Sequence, residues 1–207
     1  LKVLNDENYS YDYNILNFKH YGVPQGRKRL VLIASRYGKI KIPEPTHGPI
    51  STSGEDFVTV RDAIYKYIKE PTGKESRIPN HDIRKLSKIN KLRLRFTKQK
   101  GGSRKDLPEY LILKCHKNYK GHGDVYGRMR WNNLAPTLTC KCTSISNGRF
   151  AHPSQNRGIS VREAAALQTF EDNYIFYGKI SETTKWVGNA VPVKFAKVIG
   201  EVFLKNA

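Results

Sequence analysis

The sequence predicts an α/β fold class with an irregular, basic α+β segment set between its two ends. Three observations carry that expectation. Residues 11–18, "YDYNILNF", alternate as a strand does, and "RLVLIAS" at 29–35 is a second short β-rich run, with Gly22, Pro24 and Gly26 marking a turn between them. Two capped helical patterns lie near the other end, "SVREAAALQTF" and "VPVKFAKVIGEVF". Between them, residues 70 to about 125 are broken by "PTGKE", "KQKGGSRKDLPE" and "KGHGD" and show no long period.

Taken in order, the first two strands form a hairpin-like unit, and "KIKIPEPTHGPISTSGED" leaves it as a Pro-, Gly- and Ser-rich linker. In "TVRDAIYKYIKE", Val60, Ala63, Ile64, Tyr67 and Ile68 recur at helical spacing, and Thr59 with Asp62 makes a capping box. "APTLTCKCTSI" alternates as a further strand. Ser160, three residues before Glu163, caps an alanine-rich helix. Pro192 opens the last helix, which gathers Phe195, Val198, Ile199, Val202 and Phe203 on one face.

With 37 Lys and Arg against 18 Asp and Glu, the formal net charge is +19, which calls for a polyanionic partner, most simply nucleic acid. A membrane is the competing anion, yet no stretch approaches the roughly 18 to 20 apolar residues of a spanning helix. The three cysteines, an odd number with no signal-like start, point to a reducing, cytoplasmic setting without disulfides. Cys115, His116, Cys140 and Cys142 lack the ligand-loop spacing of structural zinc sites, so no metal is expected.

One feature of the opening hairpin conflicts with a buried strand. Gln25, Arg27 and Arg29 alternate, so on a strand they share a face. Guanidiniums near a core need carboxylates, phosphates or acceptor atoms of a ligand. An exposed basic edge strand would show the same pattern. Both readings stand on these residues alone.

"YGVPQGRKR" resembles the Gln-x-Arg-x-Arg motif of the DNA cytosine-5 methyltransferases. "VTVRDAI", Asn80-His81, "GGSRKDLPEYLILKCH", "DVYGRMRWNNLAPTLTCKC", "SNGRFAHPSQNRGISVREAAALQTFEDNYIF" and "VGNAVPVKFAKVIGE" are similar, in order and spacing, to the C-terminal half of that family. The resemblance runs over essentially all 207 residues. It implies the C-terminal portion of a Rossmann-like catalytic domain that uses S-adenosyl-L-methionine, with an inserted target-recognition domain reading duplex DNA. The target cytosine must be flipped out, because its C5 and C6 cannot be reached inside the stack. Attack at C6 drives electron density toward N3 and O2, where a fixed cation stabilises it.

In that resemblance Arg29 takes the place of the arginine at O2. Arg27 would orient the nucleophile loop or Arg29, and Gln25 would hydrogen-bond behind them. Asn189, Ala190 and Val191 would touch the methionine end of the cofactor, with the free N–H groups of the turn at Pro192 open to a carboxylate. Arg157 and Arg162 would brace the recognition domain. Arg128, Arg130, Thr137 and Thr139 are the candidate DNA contacts, in a basic region interleaved with Tyr110, Tyr119, Tyr126 and Trp131. The implied division is residues 1–44 as the end of the catalytic domain, 45–155 as target recognition, and 156–207 as bracing and C-terminal helices.

The chain has no Pro-Cys dipeptide, no Phe-x-Gly-x-Gly loop and no Glu-Asn-Val, and "ENY" at Glu7 to Tyr9 lies too close to Gln25 to serve as the last. The expectation is a fragment or subunit, inactive alone, whose partners are duplex DNA and the N-terminal half of the same enzyme. A bacterial or phage modification system, with a cognate restriction endonuclease, is the implied setting. The alternative is a non-catalytic, sequence-specific DNA-binding module related to these enzymes.

Overall fold

The computed structural model describes residues 1–205 except 52, 100, 118–120 and 122; Tyr119 therefore lies outside the described residues. A short helix, α1 (Lys2–Asp6), leads into the hairpin of β1 (Ser10–Asn17) and β2 (Lys28–Ser35). The strands pair antiparallel with Leu16 opposite Arg29 and Ile15 opposite Leu30. Among the described residues this is the one sheet, so the chain is mixed α/β without the parallel layers of a complete Rossmann-like domain. No helix of the described residues is long and apolar enough to cross a membrane.

Cross-strand partners share a face, so the register divides the hairpin into two surfaces. Leu16 and Val31 pack with Phe18, Tyr21 and Val23 against Phe195, Val198 and Ile199 of the last helix, α7 (Val193–Leu204). The Phe18 and Phe195 rings stack at 4.0 Å. The opposite surface, Tyr13, Ile15, Leu30 and Leu32, is bare, with Ile15 and Leu30 at 67% and 68% exposure. The apolar stripe of α7 also outruns its cover, since Phe203 is exposed.

The main core gathers α2 (Val60–Ile64), α5 (Val161–Leu167) and α6 (Ile180–Asn189) around Met129, Leu138 and Phe150. It therefore draws on residues to either side of position 155. The capping boxes expected at Thr59/Asp62 and Ser160/Glu163 both form. A smaller core joins α3 (Lys88–Phe96) to Leu107, Leu111, Tyr126 and Ile145, with the short α4 (Lys114–Lys117) at its edge. Neither α3 nor α6 is expected from periodicity. The first is cut from a basic stretch, and the second mixes Thr, Gly and Trp, whose helix propensity is low.

The strand expected over "APTLTCKCTSI" is not formed. Ala135 makes a single parallel bridge to Gln25, and beyond it side chains occupy the ladder positions of Leu138.

Behind α5 lies a buried ionic cluster. Arg157 donates to both oxygens of Glu163 at 2.6 Å, and the Ser160 N–H reaches Glu163 Oε2 at 2.7 Å. Burial pushes the Glu163 pKa up, but Arg157 and the other donors outweigh it and the net shift is down. His152 Nδ1 accepts from the Ser154 and Gln155 N–H groups, which leaves the neutral ring's proton on Nε2, 3.6 Å from Glu163. Burial holds the His152 pKa down at about 4, and burial lowers that of His81 as well. Below pH 6.5 the unfolded chain takes up a proton on His152 that the folded chain refuses. Stability is thus expected to fall as pH drops from about 6.5 toward 4, by about 3 kcal/mol for His152 alone. Urea titrations at pH 7 and pH 4.5 check this, and His152→Gln should flatten the difference.

Candidate functional site

The lead-in to β2 is stitched to distant segments. Gln25, fully buried, donates through Nε2 to Leu167 O at 3.1 Å and Gln168 Oε1 at 2.7 Å, and its Oε1 accepts from Leu138 N. Gln168 passes the connection on, donating to Val187 O at 2.7 Å and Ala190 O at 3.3 Å. Arg27, also buried, donates from one nitrogen to Leu138 O at 2.9 Å and Gly188 O at 3.4 Å. The segment Thr137–Cys140 and the turn at Gly188–Val191 are thereby held against the hairpin. Gly188 permits the contact: a Cβ there would lie 2.1 Å from Thr139 O.

Arg29 differs from its two neighbours. It is exposed on the α7 side of the hairpin, and its guanidinium donates to Lys28 O at 2.7 Å. It lines a cleft of about 460 Å³ with Arg27, Leu30–Ile33, Asn189, Ala190, Val191 and Phe195. No carboxylate lines this cleft. Asn189 Oδ1 accepts from the Cys140 thiol at 2.9 Å, so the amide group of Asn189 keeps its donors for a ligand. Val191 is an exposed apolar wall.

Gln25 spends both donors and its acceptor inside the protein, which makes it a strut. One expectation needs correction here. Two N–H groups at the start of α7 are not open to a carboxylate, since Val193 N donates to Gln168 O at 3.1 Å and Lys194 N to Thr169 Oγ1 at 2.9 Å. Gln168, which ties the turn to Gln25, is the residue sequence reasoning missed; its place at the C-terminal end of an alanine-rich helix gave no signal.

The candidate DNA contacts separate in the same way. Arg128 is 1% exposed and donates to Thr97 O, Leu94 O, His152 O, Gln155 O and Asn156 Oδ1. Its guanidinium is satisfied by the chain and cannot reach a phosphate, so the expectation of a DNA contact is overturned. Arg162 is likewise buried, donating to Pro79 O, Glu171 O and Tyr174 O. Arg130 is exposed; Thr139 is exposed near the cleft, and Thr137 Oγ1 donates to Gly26 O at 2.7 Å. Tyr126 is a core residue rather than a surface aromatic.

No group of three or more His, Cys, Asp or Glu among the described residues could hold a metal. Cys140 is engaged with Asn189, while Cys142 is buried and its thiol is pushed up to about 12.

Comparison with known proteins gives this geometry its context. Residues 1–205 match the family described as C-5 cytosine-specific DNA methylase. The chain is 42% identical over 200 residues to type II methylase M.HgiDII of Herpetosiphon aurantiacus, covering 93% of this chain and 55% of that protein. It is 36% identical over 198 residues to type II methyltransferase M1.HphI of Haemophilus parahaemolyticus, covering 95% and 48%. A crystal structure described as a prophage-encoded DNA modification methyltransferase (E. coli) superposes with a TM-score of 0.64 at 21% identity, over 99% of this chain and 63% of that one, which is a likeness of fold. The chain spans about half the length of the curated relatives it matches. It belongs to the C-5 cytosine-specific DNA methylase family, whose methyl donor is S-adenosyl-L-methionine.

Proposed function

We propose that this chain is the recognition and base-binding half of a DNA (cytosine-5-)-methyltransferase. One observation carries the reading: Arg29, Arg27 and the turn Asn189–Val191 line a single cleft, although they are far apart in sequence. The exposed fork of Arg29 faces the target cytosine at O2. As electron density moves toward N3 and O2 after attack at C6, the fixed cation stabilises it. Arg27 acts one step back, holding the segment of Leu138 and the Gly188 turn in place.

The same cleft fits one end of the methyl donor. The Asn189 amide supplies a hydrogen-bond donor, and Ala190 and Val191 supply an apolar wall, but no acidic side chain is present for a ribose. S-adenosyl-L-methionine supplies the methyl group when bound; this chain's part is to close over one end. The nucleophile and the remaining cofactor contacts come from the N-terminal half, so the chain alone is inactive. That half packs on the bare surface of Tyr13, Ile15, Leu30 and Leu32, whose exposed apolar area calls for a cover.

Residues 45–155 carry target recognition, with Arg130, Thr137 and Thr139 as its DNA-facing members. Residues 1–44 and 156–207 belong with the catalytic domain. The protein works on DNA in a cytoplasmic modification system beside a restriction endonuclease. Product chemistry tests the reading: the complete enzyme, given unmethylated bulk DNA and labelled donor, should yield labelled 5-methylcytosine on digestion to nucleosides. Label in N4-methylcytosine or N6-methyladenine would overturn it.

A further inference from the structure

Several arginines of the recognition region spend their guanidiniums on the protein's own carbonyls, as Arg128 does, and Arg149 behaves alike, donating to Gly101 O, Gly102 O and Arg128 O. Arg61 does not follow them. Its backbone N–H is fixed to Trp131 O at 2.8 Å and its Nε to Asn132 Oδ1 at 3.0 Å. The guanidinium lies over the rings of Tyr65 and Trp131, 4.9 and 5.6 Å from their centroids. The side chain is thus held at its stem, and the residue is exposed. The adjacent carboxylate, Asp62, is committed to the capping box, accepting from Thr59 N at 2.8 Å and Thr59 Oγ1 at 2.7 Å.

The fork borders a cavity of about 390 Å³ lined by Arg61, Gln99, Arg130, Trp131, Asn132, Asn133, Pro153 and Ser154, with no acidic residue. Arg130 reaches it by lying across Gly101, where a Cβ would come within 2.1 Å of Arg130 Nε. The Ser154 hydroxyl is shielded from solvent and has no hydrogen-bond partner within the protein. Two guanidiniums, amides and a hydroxyl make the lining rich in donors, and Asn132 Oδ1 is already taken by Arg61. Such a lining suits a ligand made only of acceptors.

We propose that this cavity is a clamp for one phosphate of the DNA backbone, with Arg61 as its preorganised fork and Arg130 as its second cation. The proposal rests on the DNA-acting reading given above and adds a site to it. A planar fork engages a phosphate bidentately, and such contacts fix the register of a protein on the duplex without reading its sequence.

Duplex binding by the full chain tests this, measured against salt on two duplexes of unrelated sequence. Arg61→Gln should weaken binding to both duplexes alike, roughly five- to tenfold near 0.1 M salt, and should reduce the slope of log K against log salt by about 0.9. Arg130→Gln, on a separate segment, should lower the slope in the same way, and this keeps the test valid if one variant folds poorly. Arg61→Lys should retain the slope and lose part of the affinity. An unchanged slope in both Gln variants overturns the clamp. A loss confined to one sequence also overturns it, by showing a base reader. If inorganic phosphate raises the thermal stability of the wild type and Arg61→Gln abolishes that rise while the duplex slope stays intact, the cavity is a free-anion site and the clamp is wrong. A wild-type chain that fails to bind any duplex sinks the DNA-acting reading, and the clamp with it.

Discussion

Replacing Arg157 with methionine is expected to cost about 3 to 5 kcal/mol of folding stability, the largest single effect in the chain. Glu163 is fully buried, and Arg157 is the partner that permits its charge, through two hydrogen bonds of 2.6 Å. Removing that partner leaves a carboxylate that must either stay charged without a counterion or take up a proton, and both routes cost stability. The same carboxylate caps α5 through Ser160 N, so the helix that packs against α2 and α6 loosens with it. Arg157→Met combined with Glu163→Leu should recover much of the loss, because a well-packed apolar pair replaces a buried ion pair at little cost. The exposed pair Lys197–Glu201, at 4.0 Å, should by contrast contribute less than about 0.5 kcal/mol. Urea denaturation of the wild type, Arg157→Met, the double variant and Lys197→Met at pH 7 gives the comparison. A loss below about 1 kcal/mol for Arg157→Met would contradict this account of the cluster.

The second large effect is on turnover. Arg29→Lys in the complete enzyme is expected to lower the single-turnover rate of methyl transfer by about 100- to 1,000-fold, with duplex affinity little changed. The charge is preserved, so long-range attraction to DNA survives. What is lost is the planar fork, which can hold a carbonyl oxygen from a fixed direction while a lysine ammonium on a flexible stem cannot. The position is exposed and bonded only to Lys28 O, so the variant should fold normally. Wild-type-like rates would remove Arg29 from the site.

Legibility from sequence followed the range of the interactions. The hairpin and both capping boxes depend on residues within a few positions of one another, and they form as the sequence suggests. Arg128 was misread because its burial depends on carbonyls contributed by Leu94, Thr97, His152 and Gln155, which no local pattern announces. The strand expected at 135–145 fails for a related reason: the Leu138 N–H and carbonyl are taken by the side chains of Gln25 and Arg27, so no ladder partner is needed. The alternation of Gln25, Arg27 and Arg29 places the three on one face but does not say which of them is buried. The structure makes the first a strut, the second a tie to the Gly188 turn and the third the exposed member at the cleft.

The most direct measurement mixes this chain with a polypeptide carrying the N-terminal half of the enzyme and follows transfer of labelled methyl groups to unmethylated duplex DNA. Activity in the mixture and in neither part alone, lost when Arg29 is replaced by Lys in this chain, is the predicted result. Two folded halves that associate and bind duplex yet transfer no methyl group to cytosine, or transfer that is indifferent to Arg29, would contradict it.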